Sequence, residues 1–389
     1  MIELDSFNDD LHDSAFVKIK IVGIGGAGGN TVNSMISANL ENVDFVVANS
    51  DMQALRQSKA HCKIQLGVKA TKGLGCGANP EVGRRATEED LERIMEQIGD
   101  ADIVFLVAGM GGGTGSGGAP VVAKALKDRG ILSIAVVTKP FAFEGKRRMM
   151  VAQDALEQLK KDVDTLIVVP NEKLLSLVDR SVSMIDSFDM INQLLMQSVK
   201  SVSSIISRSG HINVDFADLR AIMKGMGLAM MGTGSASGHN RAVEAAKKAI
   251  SSQLLENMDI KSARGVLMNI CGGTDLSLHE INDAANVIYY ESNKDAHVIL
   301  GSVIDPSMGD EVVVSVVATG FSPVAAAAVQ IEKIVPSVVQ PKQEEKRVYH
   351  EPQLARVMVE KNDSQPVDSL EIPAYLRNQE TVDQGVDGQ

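Results

Sequence analysis

The stretch Gly109-Met110-Gly111-Gly112-Gly113-Thr114-Gly115-Ser116-Gly117-Gly118 follows an apolar block, Asp102–Ala108, and precedes a helical pattern. Strand, glycine turn and helix start together make an anion site. Unpaired N–H groups at a helix N-terminus point outward, and the helix dipole favours negative charge there. Missing Cβ atoms let the backbone approach a ligand closely. A second unit of this kind lies upstream, where Val17–Ile24 runs into Gly23-Ile24-Gly25-Gly26-Ala27-Gly28-Gly29-Asn30 and a helix is expected from Thr31. Two such loops at neighbouring strand ends suit a nucleoside triphosphate gripped from both sides. No G-x-x-x-x-G-K-[ST] occurs, which excludes an ordinary P-loop with its phosphate lysine.

Read alone, residues 23–28 also spell G-x-G-x-x-G, the dinucleotide fingerprint, with Asp44 and Asp51 near the usual acidic distance. An NAD-dependent dehydrogenase is therefore the alternative from another class. It leaves Gly109–Gly118 unexplained, and the 7 histidines are scattered rather than gathered near a cofactor. A nucleotide-binding scaffold without turnover is a third possibility.

Outward from the loops, apolar runs at Val17–Ile24, Asp44–Asn49, Asp102–Met110, Ile131–Thr138 and Asp164–Val169 alternate with helical patterns. Near-continuous Val, Ile, Leu and Phe is the signature of strands covered on both faces. The intervening lengths allow right-handed crossovers, so the fold class is α/β: a Rossmann-like parallel sheet with helices on both sides. From Pro170 to Gly210 no Gly or Pro intervenes. There Met184, Phe188, Ile191, Leu195, Val199, Val202 and Ile206 recur at helical spacing, widened by Ile185, Leu194 and Ile205. The spacing predicts a long central helix, buried on a broad face and joining two domains. Strands at Gly227–Met231, Gly265–Ile270, Val298–Ile304 and Val312–Val317, with helices near His239–Ser251 and Ser277–Glu291, form the second, α/β (α+β) domain.

The organisation expected is a flexible acidic arm at 1–16, a nucleotide-binding domain at 17–182, the central helix at 183–207 and a second domain at 208–322. A proline-bearing, disordered linker at 323–370 and a tail at 371–389 complete the 389 residues. A net charge of −12 argues against a broad nucleic-acid surface or direct attachment to anionic lipid. Aromatics are 3% with no Trp, so stacking platforms are scarce. Cys62, Cys76 and Cys271 fit no zinc or disulfide spacing, the N-terminus has the wrong sign for a signal peptide, and no apolar run approaches a membrane span. A cytoplasmic protein without membrane insertion is expected.

Gly109–Gly117 resembles the signature loop of the tubulin superfamily. With Gly23–Asn30, Thr71–Pro80, Thr138–Gly145 and Asn213–Asp218 in order, the chain resembles the bacterial FtsZ family of cell-division GTPases from about Val17 to Gly320, and again at Glu371–Gln379. The resemblance implies a GTP-dependent, self-polymerising protein that forms the cytokinetic ring at mid-cell beneath the inner membrane. It implies GTP and GDP as ligands, with Mg2+ held mainly by phosphates and water.

By the same resemblance, Gly26, Ala27, Gly28, Gly29 and Asn30 bind phosphate and ribose, and Gly113, Thr114 and Gly115 wrap the β- and γ-phosphates. Gly75–Asn79 senses the γ-phosphate, with Cys76 where relatives often carry Ala. Glu144 and Arg148 contact ribose and nucleotide, although i, i+4 spacing also suits a plain surface ion pair. Asn192 matches the base-recognition position, where many relatives place Asp. Asp215 and Asp218 stand three apart at a helix start, where capping is the bland explanation. In the family this segment protrudes from one subunit and supplies the catalytic acids to the nucleotide site of the next.

The tail Glu371–Gln379 resembles the family's adaptor-binding peptide. Ile372, Tyr375 and Leu376 lie at i, i+3, i+4 with Pro373 early enough to start a helix, as for helix-in-groove recognition by a membrane-adaptor division protein.

Overall fold

The computed structural model describes residues 17–175, 181–207, 214–252 and 260–321. The expected arm, linker and adaptor-binding tail lie outside the described residues. In the first half, β1 (Ile19–Ile24), β2 (Asp44–Asn49), β3 (Cys62–Gln65), β4 (Ile103–Gly109), β5 (Leu132–Lys139) and β6 (Thr165–Pro170) alternate with helices. These are α1 (Gly25–Ser37), α2 (Met52–Gln57), α3 (Val68–Thr71), α4 (Pro80–Glu89), α5 (Leu91–Ile98), α6 (Thr114–Asp128), α7 (Lys146–Asp162) and α8 (Asn171–Leu175). The long helix α9 (Met184–Ser207) follows, then α10 (Phe216–Met223). The second half contains β7 (Gly227–Ser237), α11 (Arg241–Ile250), β8 (Gly265–Gly272), α12 (Leu278–Glu291), β9 (His297–Ile304) and β10 (Glu311–Thr319).

The strands form one ten-stranded sheet in the order β3-β2-β1-β4-β5-β6-β7-β10-β8-β9. β1 to β7 run parallel to one another, and β10 is antiparallel to both its neighbours, β7 and β8. The two halves meet at a short seam, where Thr165–Ile167 of β6 pairs with Gly227–Ala229 of β7. In the first half, apolar side chains of one sheet face (Ile21, Phe105, Ile134) pack on α1, α9 and α10; those of the other (Val22, Leu106, Val137) pack on α5, α6 and α7.

The long helix is 24 residues, hence about 36 Å at ~1.5 Å per residue. Ile191, Leu195, Val199, Val202 and Ile205 are buried, and the same core reaches Leu267, Ile299 and Val317 of the second half. Its N-terminal end departs from the expected stripe: Met184 and Ile185 are 71% and 72% exposed. The apolar repeat continues past the edge of the core.

Three further differences have local causes. The first glycine-loop helix begins at Gly25, not Thr31, and the second at Thr114, so much of each glycine run is already helical. β3 was not expected, because Cys-Lys-Ile-Gln has no strand pattern of its own and exists by pairing with β2. β7 extends to Ser237 although its Gly-Ser-rich end reads as a loop. Pairing with β10 from Ala229 to Ser237 holds it, and α11 packs so close that a Cβ on Gly234 would lie 2.2 Å from the Ala245 carbonyl oxygen. No helix among the described residues is long and apolar enough to cross a membrane.

Candidate functional site

A cleft of about 330 Å³ opens at the C-terminal ends of β1, β4, β5 and β6. Its walls include Gly25, Gly26 and Ala27 at the start of α1, and Gly112, Gly113, Thr114 and Gly115 at the start of α6. Neither helix start carries a side-chain cap, as is also true of α3, α5, α7 and α11, so their first N–H groups are left without a side-chain acceptor. Two uncapped helix N-termini therefore face one cavity, an arrangement for a polyanion.

The glycines divide into two kinds. A Cβ on Gly28 would sit 2.3 Å from the Val107 carbonyl oxygen, and one on Gly117 2.1 Å from that of Pro80. These two let helices approach backbone. A Cβ on Gly26 or Gly112 would meet nothing within 4 Å, so these two leave the cleft open. Of the expected nucleotide contacts, Gly26, Ala27, Gly113, Thr114, Gly115, Glu144 and Arg148 line the cleft together. Gly28 and Gly29 are buried behind it and Asn30 is on the exposed side of α1; none of the three is in its wall.

Beneath Thr114 lies a small polar cluster. Ser50 Oγ and Thr114 Oγ1 are 2.7 Å apart, and the Cys76 thiol donates to Ser50 Oγ at 3.1 Å. The loop containing Cys76 is thereby tied to the second glycine loop. Cys76 is buried and supports Thr114 from below, outside the cleft wall.

On the opposite wall Glu144 accepts from the Phe141 amide at 2.9 Å and pairs with Arg148. The two do not share a helix: Glu144 closes a short 3-10 turn, Gly145 at φ +100° intervenes, and Arg148 lies in the first turn of α7. The ion pair is real, and both members still line the cleft.

Three phenylalanines gather at this rim. Phe141 stacks on Phe143 with centroids 4.8 Å apart and meets Phe188 edge-on at 5.8 Å. Scarce aromatics in the composition gave no hint of this. Phe188 reads in sequence as one more residue of an apolar stripe, yet it lines the cleft. Asn171 was also missed. It follows β6 directly, lines the cleft, and its buried Oδ1 has no hydrogen-bond partner among the described residues. A polar residue just past a strand end in a parallel sheet was the available signal. Asn192, one turn after Phe188 on α9, lies outside the cleft wall and accepts from Thr31 of α1 at 3.0 Å.

The two acids are elsewhere. Asp215 is the N-cap of α10 and accepts from the Asp218 amide at 2.7 Å, so the capping role is present, and both residues are exposed. α10 is anchored at the N-terminal ends of the strands: Arg220 donates to the Gly130 carbonyl before β5, and Thr165 at the start of β6 donates to the Met223 carbonyl. The cleft lies at the other end of those strands, roughly 20 Å away at ~3.3 Å per residue.

The dinucleotide reading fares poorly. Asp44 stands at the N-terminal end of β2, paired with Lys20 at 3.5 Å and far from either loop. Asp51 is occupied as the cap of α2, accepting from Gln53 and Ala54.

Residues 18–179 match the GTPase domain of the tubulin/FtsZ family, and residues 227–322 match the C-terminal domain of the FtsZ family. Among solved structures, the chain is similar to an empty FtsZ dimer from M. jannaschii at 41% identity. That match covers 80% of this chain and 90% of that one, with a TM-score of 0.76. A single-residue mutant of M. jannaschii FtsZ matches at 41% identity over 80% and 93% of the two chains, with a TM-score of 0.77. A GTPγS-bound CetZ2 protofilament from Haloferax volcanii shares the fold at 23% identity, 79% and 94% coverage and a TM-score of 0.68. Two uncapped helix ends at one cleft, the two matching domains and this level of identity agree: the chain belongs to the FtsZ family of tubulin-like GTPases, which bind GTP and hydrolyse it to GDP and phosphate.

Proposed function

We propose that this GTPase assembles head to tail and that each hydrolytic site is completed by the subunit stacked on it. The observation that carries this reading is the separation just described. Asp215 and Asp218 stand at the opposite end of the sheet from the cleft, out of reach of a nucleotide bound to the same protomer. Stacking a second copy brings its exposed acids over the first copy's cleft. Such a contact joins two different surfaces, so it propagates as an open filament. A relative described as a dimer supports self-association.

In this reading the N-termini of α1 and α6 hold the phosphates, with Gly26, Ala27, Gly113, Thr114 and Gly115 in contact. Gly28, Gly29 and Asn30 support the first turn, Glu144 and Arg148 flank the ribose, and Phe188, Asn171 and Asn192 receive the base. Asp215 and Asp218 of the stacked subunit polarise the attacking water and accept its proton, and Asp215 also caps the helix that presents them. Among the described residues no group of three or more His, Cys, Asp or Glu stands together, and Glu144 is already paired with Arg148. Mg2+ would be held mainly by the substrate phosphates and water, offsetting the phosphate charge.

At the cellular level the protein forms the cytokinetic ring at the cytoplasmic face of mid-cell. Residues 17–182 bind nucleotide, 208–322 activate the neighbour, and a linker at 323–370 spaces the filament from the membrane. Ile372, Pro373, Tyr375 and Leu376, outside the described residues, engage a membrane adaptor. The experiment is GTPase rate per subunit against protein concentration. A steep rise above a threshold is expected; the same rate per subunit at all concentrations would overturn the shared site.

A further inference from the structure

The acids can act in a neighbouring cleft only if the helix carrying them is held at a fixed tilt. Two fully buried threonines meet its C-terminal end. Thr165, first residue of β6, donates to the Met223 carbonyl at 2.5 Å, and Thr319, last residue of β10, donates to the Ile222 carbonyl at 2.8 Å. Carbonyls in the last turn of a helix lack intrahelical partners; the Ile222 carbonyl takes the Thr319 hydroxyl, which also lies 3.3 Å from the Gly265 carbonyl, and the Met223 carbonyl takes the Thr165 hydroxyl beside a longer 3.5 Å contact from the Met226 amide. The packing leaves little slack: a Cβ on Gly265 would lie 2.7 Å from Thr319 Oγ1 and 3.2 Å from Ile222 Cβ. Asp164 adds a third tie. It accepts from the Gly225 amide just past α10 at 3.2 Å and from the Ser133 amide at the base of β5 at 3.0 Å.

These ties come from strands that serve two purposes. β6 begins at Thr165 beneath α10, and Asn171 of the cleft directly follows its last residue. β5 is tied to Asp164 at Ser133 and reaches the cleft at Thr138. β10 belongs to the second half, so Thr165 and Thr319 grip adjacent carbonyls from the two sides of the β6–β7 seam. We propose that Thr165 and Thr319 are positioning residues for hydrolysis, whose hydroxyls set the tilt of α10 and thereby aim Asp215 and Asp218 at the cleft of the next subunit. This rests on the reading that those acids act across the subunit contact.

The test compares Thr165→Val, Thr319→Val and the double variant, which keep side-chain volume and remove the hydroxyls, with Thr165→Ser and Thr319→Ser, which keep them. GTP affinity of dilute protein, critical concentration by sedimentation, and phosphate release per sedimented subunit are measured on the full chain, with Asp218→Asn alongside. The double valine variant is expected to bind GTP and assemble within about threefold of the parent while turnover per assembled subunit falls about tenfold or more. The single valine variants fall between, and the serine variants match the parent. Full turnover in an assembled variant lacking both hydroxyls, with Asp218→Asn inactive, would overturn the positioning role alone. Full turnover by Asp218→Asn would overturn both it and the acid assignment beneath it. If the double variant does not fold, the singles decide: unchanged turnover in both, or a loss of assembly that accounts for the lost turnover, would equally refute it.

Discussion

Thr31 Oγ1 lies 3.0 Å from Asn192 Oδ1 and also 3.0 Å from the Ala27 carbonyl oxygen, so one hydroxyl proton faces two acceptors. The contact spans 161 residues of sequence and joins the helix of the first glycine loop to the long helix. When Thr31 donates to Ala27, turning the Asn192 amide over lets it donate to Thr31, but then its single carbonyl oxygen alone remains for a base. A carboxylate would accept from Thr31 with one oxygen without having to turn over, and the oxygen it offers guanine is charged and so the stronger acceptor. Asn192→Asp is therefore expected to sharpen discrimination of GTP over ATP by about tenfold, measured as the ratio of their dissociation constants.

Among the described residues the buried Asn171 Oδ1 has no partner, and an acceptor left so costs roughly 1–3 kcal/mol. Asn171→Ala removes both that cost and a contact for the base. The expected outcome has opposite signs: the melting temperature of nucleotide-free protein holds or rises, while GTP binding by titration weakens about tenfold. A fall in both would mean that Asn171 serves the fold.

The acids separate in the same way. Asp215→Ala loses a cap and is expected to destabilise by about 1 kcal/mol in addition to impairing hydrolysis. Asp218→Ala gives up no cap, so denaturant unfolding should be nearly unchanged and GTP-triggered filaments should persist, without phosphate release.

The two kinds of glycine give a third contrast. Gly26→Ala adds a methyl to open space and is expected to leave the fold intact while weakening GTP affinity about tenfold. Gly28→Ala drives a Cβ to 2.3 Å from the Val107 carbonyl, and its expected signature is a lowered melting temperature.

Acid sensitivity should concentrate in the second half. Arg241, 4% exposed, meets Glu280 at 2.7 Å and Asp275 and Asp310 at 2.8 Å, tying together the starts of α11, α12 and β10. Its hydrogen bond holds the Glu280 carboxyl down to about 2, below an ordinary value of 4.5. A depressed carboxylate stabilises fully above its unfolded value and loses that contribution as pH falls from about 4.5 toward 2. Glu280→Gln is expected to cost about 1–2 kcal/mol at neutral pH, after solvent screening, and to flatten acid unfolding over that window. An unchanged acid midpoint would place the sensitivity elsewhere.

What the sequence determined by itself is whatever local pattern enforces. Val, Ile and Leu runs such as Ile103–Ala108 could be covered only on both faces, and two glycine runs at strand ends could only open helices. Together these settled a parallel α/β sheet with a polyanion cleft. The tertiary structure decided what depends on partners distant in the chain. Cys62–Gln65 and the Gly-Ser end of β7 became strands because a neighbouring strand satisfied their backbone groups. Phe188 left the stripe for the cleft because the core ends before α9 does. Gly28 and Gly26 look alike in sequence, yet one touches a carbonyl and the other touches nothing, since only the approach of another chain segment distinguishes them. Asp215 and Asp218 showed their spacing from the start. That they stand at the far end of the sheet from the cleft followed only from where α10 docks, because hydrogen bonds from Thr165 and Thr319, made across the fold, hold it there.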